Sequence, residues 1–234
     1  MLLKVADLIV EVEPKYEILK TRSVPYIYTG TSEPDVVIKI SEQFYADRQK
    51  ENPHLSLAEC EYIYTGKYFY TEIVKFNGVM LHASAVQYEN YAYLFSANSG
   101  TGKSTHTHLW LEKFPAAEIL NDDKPAIRII NGKSYAYGTP WSGKYDKSIN
   151  TATEIAGITF LSRGVNNEIK RTTGEDVMVD FMNQTVRPIK KDYMVYFMDV
   201  LDQILTNIPV FRMKCNISLD AVDTSYNAMK RSKK

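Results

Sequence analysis

Nine consecutive residues, Ala97 to Thr105 (ANSGTGKST), bring together small, flexible and cationic side chains at a spacing suited to one kind of chemistry. A polyphosphate needs several backbone N–H groups turned toward it. Gly100 and Gly102 permit the positive φ angles and close approach that this requires. Lys103 supplies an ammonium for the β and γ phosphates, and Ser104 a hydroxyl where Mg²⁺ would sit. A helix starting at Lys103 adds the positive end of its dipole. With Asn98, Ser99, Thr101 and Thr105 completing the cradle, the stretch is expected to hold a nucleoside triphosphate. It departs from the G-x-x-x-x-G-K-[ST] pattern at one place, where Ala97 stands for the first glycine. That position mainly permits a sharp turn out of a strand, and alanine carries the smallest side chain with a Cβ.

Phosphoryl transfer also needs a metal ligand and a group that accepts the nucleophile's proton. Asp122 and Asp123 lie in LNDDKP, at the end of a predicted strand, with Asp122 19 residues beyond Lys103. Neighbours on an extended chain point to opposite sides, so one can face Mg²⁺ and the other the acceptor. The alternative for NDD is a solvated turn. His82, in MLHASAV, sits mid-strand among apolar residues, where a lone histidine is most often a satisfied core residue. His106 and His108 are two apart on a predicted helix, roughly 200° around its axis, so they cannot share an ion and read as structural. The segment YGTPWSGKYDK is a defined loop, with Gly138, Pro140 and Gly143. Its Trp141, Ser142 and Lys144 offer a stacking face, a hydroxyl and a charge for binding a substrate anion or capping the site. The other reading is an ordinary crossover. Arg128 and Arg163 are further candidates for phosphate contact if the fold brings them in.

The elements that must position these groups follow from periodicity and turn residues. LLKVADLIVEVE and PDVVIKI read as strands. Ser56 and Glu59 resemble a capping box, opening a helix whose apolar stripe runs through Tyr62, Phe69, Ile73 and Phe76, with Asn77-Gly78 as its stop. Gly66 falls on that stripe and weakens it. VMLHASAVQY and AYLFSA form a hairpin feeding the glycine-rich loop; KSTHTHLWLEKF is a helix ended by Pro115; AAEILNDD is a strand running into the acids. AIRII and KSYAYG flank Asn131-Gly132, a hairpin turn. EIAGITFLSR and VFRMKC are further strands, NNEIKRTT is a segment that could pair near the first, KDYMVYFMDVLDQILTNI is an amphipathic helix, and the tail DAVDTSYNAMKRSKK reads as a frayed or docked helix. Hairpins dominate, so the sheet is expected to be mixed and largely antiparallel, an α+β arrangement without the repeated crossovers of a doubly wound sheet. Two parts are expected: residues 1–75 as a lead-in of strands and one helix packed on the core, and residues 76–234 as the domain carrying the loop.

Composition narrows the function classes. The 28 Lys and Arg balance 28 Asp and Glu, which argues against nucleic acid or an anionic membrane as the main partner. No apolar run approaches the ~20 residues of a membrane span. The first residues carry Asp7, Glu11 and Glu13, which break a signal-peptide core, and the two cysteines, Cys60 and Cys215, lie far apart. A reduced, cytoplasmic protein is expected.

The combination HASAV, YLFSANSGTGKST and NDDKP, in that order, resembles the C-terminal catalytic domain of HPr kinase/phosphorylase and its relatives in the phosphoenolpyruvate-carboxykinase-like superfamily. The likeness covers about Val79 to Arg163. It implies a β-rich fold with the phosphate loop between strands of a mixed sheet, and ATP and Mg²⁺ as cofactors. It also implies transfer to a hydroxyl, serine in the HPr kinase branch. By the same resemblance Lys103 is the phosphate lysine, Ser104 the metal hydroxyl, Asp122 the general base, Asp123 its partner near the metal, and His82 a phosphate-contacting histidine. The downstream signature that helps HPr kinase hold its protein substrate has no match in YGTPWSGK, and residues 1–75 show no counterpart of its N-terminal domain. The acceptor is therefore expected to be a hydroxyl of another protein, a peptide or a small molecule; some small stand-alone relatives phosphorylate a serine on a ribosomally made peptide. Relatives of this type often assemble, so a homo-oligomer is among the expectations. Two other readings are a nucleotide-binding regulator without turnover and a carboxykinase-type lyase, for which the chain is short.

Overall fold

The computed structural model describes residues 1–231. The first stretch read as one strand is a hairpin. Ala6 and Asp7 take positive φ (51° and 57°), so β1 (Leu2–Val5) folds back antiparallel on β2 (Leu8–Val12). β3 (Val36–Ile38) adds parallel to β2 and completes a three-stranded sheet. Three helices accompany it: α1 (Glu17–Ser23), α2 (Glu42–Glu51) and α3 (Leu57–Glu72). The first two escaped the sequence reading because they bury little; on α2 only Tyr45 is buried. The expected capping box opens α3: Ser56 Oγ accepts from Glu59 N–H, and Glu59 accepts from Ser56 N–H. Gly66 sits on its buried stripe for a steric reason. A Cβ there would lie 2.7 Å from Cδ1 of Trp141, so glycine lets the indole ring approach the helix.

Among the described residues the second sheet has nine strands. VMLHASAVQY, expected as one strand, is two: β4 (Gly78–Met80) and β5 (Ala83–Tyr88). Leu81 and His82 leave the ladder between them, their N–H groups bonding Pro125 O and Gln184 O. β5 pairs antiparallel with both β6 (Tyr91–Ser96) and β7 (Glu118–Asn121). β8 (Ala126–Ile130) and β9 (Lys133–Tyr137) form the expected Asn131-Gly132 hairpin, with positive φ at both turn residues. The long β10 (Ala152–Arg163) runs parallel to β6 and parallel to β12 (Val210–Cys215), and β11 (Glu168–Thr172) pairs antiparallel with β12 at the edge. The sheet is thus mixed, with most pairs antiparallel.

Helices cover both faces. Along β6, Ala92 and Leu94 point to one face and Tyr93 and Phe95 to the other, the period-two alternation of a strand buried on both sides. α5 (Gly174–Asn183), which the sequence reading missed, packs on the first face with α6 (Lys191–Asn207). Phe197, Val200, Leu201 and Ile204 of α6 are essentially inaccessible, each contributing about 1.5–3 kcal/mol by burial. On the second face lie α4 (Lys103–Lys113) and α7 (Leu219–Met229), joined by an aromatic cluster around Trp110. Among the described residues no helix is long and apolar enough to cross a membrane.

Candidate active site

Strand directions bring the chemically suited residues together. β5 is antiparallel to both β6 and β7, so those two run the same way and end at one edge of the sheet. β6 ends in the glycine-rich loop and β7 in the two acids. His82 immediately precedes β5 and so starts from that same edge. The parallel β10 delivers Arg163 there as well. Sites in mixed sheets form where strand ends open in this way.

The loop turns out of β6 at Ala97 and enters α4 through Gly100 (φ +76°) and Gly102 (φ +121°). A Cβ on either glycine would meet nothing within 4 Å, so conformation rather than space demands glycine there. Asn98, Ser99, Gly100 and Thr105 are exposed, whereas Lys103 is buried and its Nζ donates to Ala97 O at 2.9 Å. Burial pulls the Lys103 ammonium's pKa down, and the carboxylates of Asp123 and Asp122 act against that pull. The Ser104 hydroxyl has no hydrogen-bond partner among the described residues. Arg163 Nη2 donates to Gly100 O at 2.6 Å, which places this cation beside the cradle.

The acids ride on a turn made by their neighbour: Asn121 Oδ1 accepts from the N–H groups of Asp123 (3.0 Å) and Lys124 (2.7 Å). NDD is therefore both a turn and an acid pair. Asp122 is buried and faces α4. Its Oδ1 accepts from Ser84 Oγ at 2.6 Å, and that hydroxyl also meets Thr107 Oγ1, one turn past Lys103, at 2.7 Å. Asp123 faces the other way. Its Oδ1 lies 3.1 Å from His82 Nε2, and its Oδ2 is paired with the Lys124 ammonium. Burial alone would raise the Asp123 carboxyl, but the His82 hydrogen bond and the Lys124 charge outweigh it and hold it down at about 2.

Gln184, which the sequence reading did not single out, links the acids to the loop. Its Oε1 lies 3.0 Å from His82 Nδ1, and its Nε2 donates to Asn98 Oδ1 at 3.1 Å. A continuous path therefore runs from the loop through Gln184 and His82 to Asp123. No motif marks Gln184, because it follows α5 and comes from 102 residues downstream of His82. His82 lies at a strand break on the site edge, not mid-strand.

Other expectations are corrected. Trp141 offers no stacking face: it is 1% exposed, stacks on Phe69 at 5.0 Å and donates to Thr65 Oγ1. Ser142 is buried on Asp146. Arg128 is not at the loop; its guanidinium is buried and donates to Phe76 O and Ala6 O, tying β8 to the N-terminal hairpin. Lys144 is exposed, 5.8 Å over the Tyr145 ring. Its loop nonetheless borders the site through Gly143 (φ +78°), where a Cβ would lie 2.5 Å from Asp123 Cβ; Tyr62 Oη accepts from Gly143 N–H at 3.0 Å and anchors it. The two helix histidines diverge as expected. His106 is buried against Ser225, while His108 is exposed and meets Lys147 Nζ.

Do these residues suit a magnesium–nucleotide? Among the described residues no group of three or more His, Cys, Asp or Glu side chains could hold a metal ion by itself. Mg²⁺ typically takes one or two carboxylates and completes its shell with phosphate oxygens and water. Two acids, an unpartnered serine hydroxyl and a glycine-turned loop at a helix N-terminus fit that donor set.

No family model matches the chain, and no curated protein matches it in sequence. Among solved structures it is similar to the Hpr(Ser) kinase/phosphatase from Coxiella burnetii, at 10% identity and a TM-score of 0.38, over 64% of this chain and 93% of that one.

Proposed function

We propose that the chain is an ATP- and Mg²⁺-dependent phosphotransferase that moves a phosphoryl group to a hydroxyl of a peptide, protein or small molecule. The observation that carries this reading is the convergence of strand ends. The turned loop before Lys103, the acid pair after β7 and His82 before β5 share one edge and are joined through Ser84–Thr107 and through Gln184. A phosphate-binding loop used only for binding has little need of two carboxylates beside it.

In this reading the amides of Asn98 to Thr105 and the Lys103 ammonium hold the polyphosphate, and Arg163 stiffens the turn through Gly100 O. Ser104 and Asp123 hold the magnesium ion, which supplies positive charge against the phosphate oxygens. A carboxyl kept near 2 is a weak proton acceptor and a permanently charged ligand, which suits Asp123 to that task. Asp122 Oδ2 has no hydrogen-bond partner among the described residues, which leaves it the oxygen that takes the acceptor's proton. His82 orients Asp123 and reads the loop's position through Gln184. Such catalysis is chiefly positioning and charge neutralisation.

Calorimetry with Mg·ATP and transfer of label from [γ-³²P]ATP to cell-extract fractions test the proposal. Asp122→Asn is expected to abolish transfer, by at least ~100-fold, while sparing Mg·ATP uptake. Wild-type protein that takes up no Mg·ATP would end the phosphotransferase reading.

A further inference from the structure

A second feature adjoins the loop without belonging to it. On the α5 face of the sheet a cleft of about 680 Å³ opens beside Asn98 and Gln184. Its floor is the register-matched faces of three strands: Phe160 and Ser162 of β10 lie beside Arg212 and Lys214 of β12, and these stand opposite Lys170 and Glu168 of β11. Arg212 is already answered by Asp180 of α5, at 2.5 Å. Lys170 and Lys214 are exposed and take part in no ion pair among the described residues, though Glu168 stands across from Lys214. In a chain whose formal charge is zero, this local excess of cations is a concentrated feature, and clefts focus such fields.

We infer that this cleft is the acceptor site and that it takes an acidic, extended peptide segment carrying the hydroxyl. The inference rests on the phosphotransferase reading and names the substrate class for the same site. Three observations carry it. The cleft adjoins the catalytic edge through Asn98 and Gln184, and Gln184 bonds both the loop and His82, so an acceptor lying there borders the loop. Lys170 and Lys214 lack partners of their own, and carboxylates flanking the acceptor hydroxyl supply them. β11 is an edge strand, paired only with β12 among the described residues, so the cleft is open on that side for an extended chain to enter. The cleft is not the only space open to a nucleotide beside the loop. The loop's other side, lined by Gly102, Thr105, Leu109 and Ile217, forms a separate pocket on the α4 face.

The test uses full-length protein and three fluorescein-labelled probes: a heptapeptide with one serine flanked by aspartates, its asparagine-flanked counterpart, and single-stranded oligo(dT). Anisotropy is expected to show the acidic peptide binding at least tenfold tighter than the neutral one, with affinity falling as salt rises. The double variant Lys170→Glu/Lys214→Glu, and the milder Lys170→Gln/Lys214→Gln, should lose most of that preference while keeping the wild-type Tm and Mg·ATP uptake. Equal binding of the two peptides overturns the inference, as does a preference that survives both double variants. Displacement by millimolar succinate as complete as by unlabelled peptide would mean a small-anion pocket, and tighter binding of oligo(dT) a nucleic-acid surface; either also overturns it. Failure of Mg·ATP uptake by wild type would instead strike the phosphotransferase reading, so the two failures are distinguishable.

Discussion

His106 gives the sharpest physical prediction. It sits one turn into α4, the helix that the glycine-turned loop opens, with its ring edge-on to Phe95 and 3% of its surface exposed. His106 Nε2 lies 3.1 Å from Ser225 Oγ of α7, and Trp110 Nε1–H points at both atoms from 3.3 Å. Nδ1 is a buried nitrogen with no partner. A protonated ring would be a buried charge whose Nδ1–H meets no acceptor, and burial accordingly pushes the imidazole from 6.5 down to about 4. The sign follows. Above pH 6.5 both folded and unfolded chains hold a neutral ring, and nothing is lost. As pH falls from 6.5 to about 4 the unfolded chain takes up a proton that the folded chain refuses. The folded state then loses ~1.4 kcal/mol per pH unit, about 3 kcal/mol over the window. At 2–4 °C per kcal/mol for a chain of this size, Tm should fall by roughly 6–12 °C from this residue alone. The assay is differential scanning fluorimetry from pH 7.5 to 4.5 on wild type and His106→Gln, whose amide keeps a donor near Ser225 but cannot titrate. Comparing slopes cancels the other titrating groups. If the two proteins lose Tm in parallel below pH 6.5, the buried-neutral account of His106 is wrong.

Three further outcomes follow from particular contacts. Gly66→Ala puts a methyl 2.7 Å from the Trp141 indole and should cost about 1–3 kcal/mol in urea unfolding; an unchanged midpoint would mean the indole moves freely. Gly143→Ala combines a left-handed φ of +78° with a Cβ 2.5 Å from Asp123 Cβ, so it should lower stability by at least ~1–2 kcal/mol. It should also weaken the Mg²⁺ dependence of ATP binding measured by calorimetry. Gln184→Ala removes the link between Asn98 and His82; about 1 kcal/mol of stability and a several-fold loss of phosphotransfer are expected, with ATP affinity changed less than turnover.

Local chemistry was legible in the sequence. Glycines that must adopt positive φ, a lysine and serine at a helix start, a Ser56–Glu59 capping box and an Asn-Gly hairpin turn each act over a few residues, so they are readable without a fold. The structure departs from these local signals where the signal is weak or where a neighbour far along the chain decides. Ala6-Asp7 turns left-handed without the usual glycine, so one strand became two. α1 and α2 bury too little to leave a stripe, and Gly66 interrupts the α3 stripe because Trp141, far along the chain, needs the space. Arg128 and Trp141 carry the right chemistry for a phosphate site but were claimed by backbone carbonyls and by Phe69.

By itself the sequence determined that a glycine-turned loop with a lysine and a serine opens a helix, that two adjacent acids follow a strand, and that the strands are mostly hairpin-paired, because these follow from short-range backbone freedom and hydrogen bonding. Only the tertiary structure decided that they meet. Antiparallel pairing of β5 with both β6 and β7 puts the loop, His82 and the acids on one edge, and Gln184 reaches that edge from far downstream because α5 packs across the sheet. Strand direction is a property of pairing, and pairing is set by burial of whole faces rather than by any residue's own neighbours.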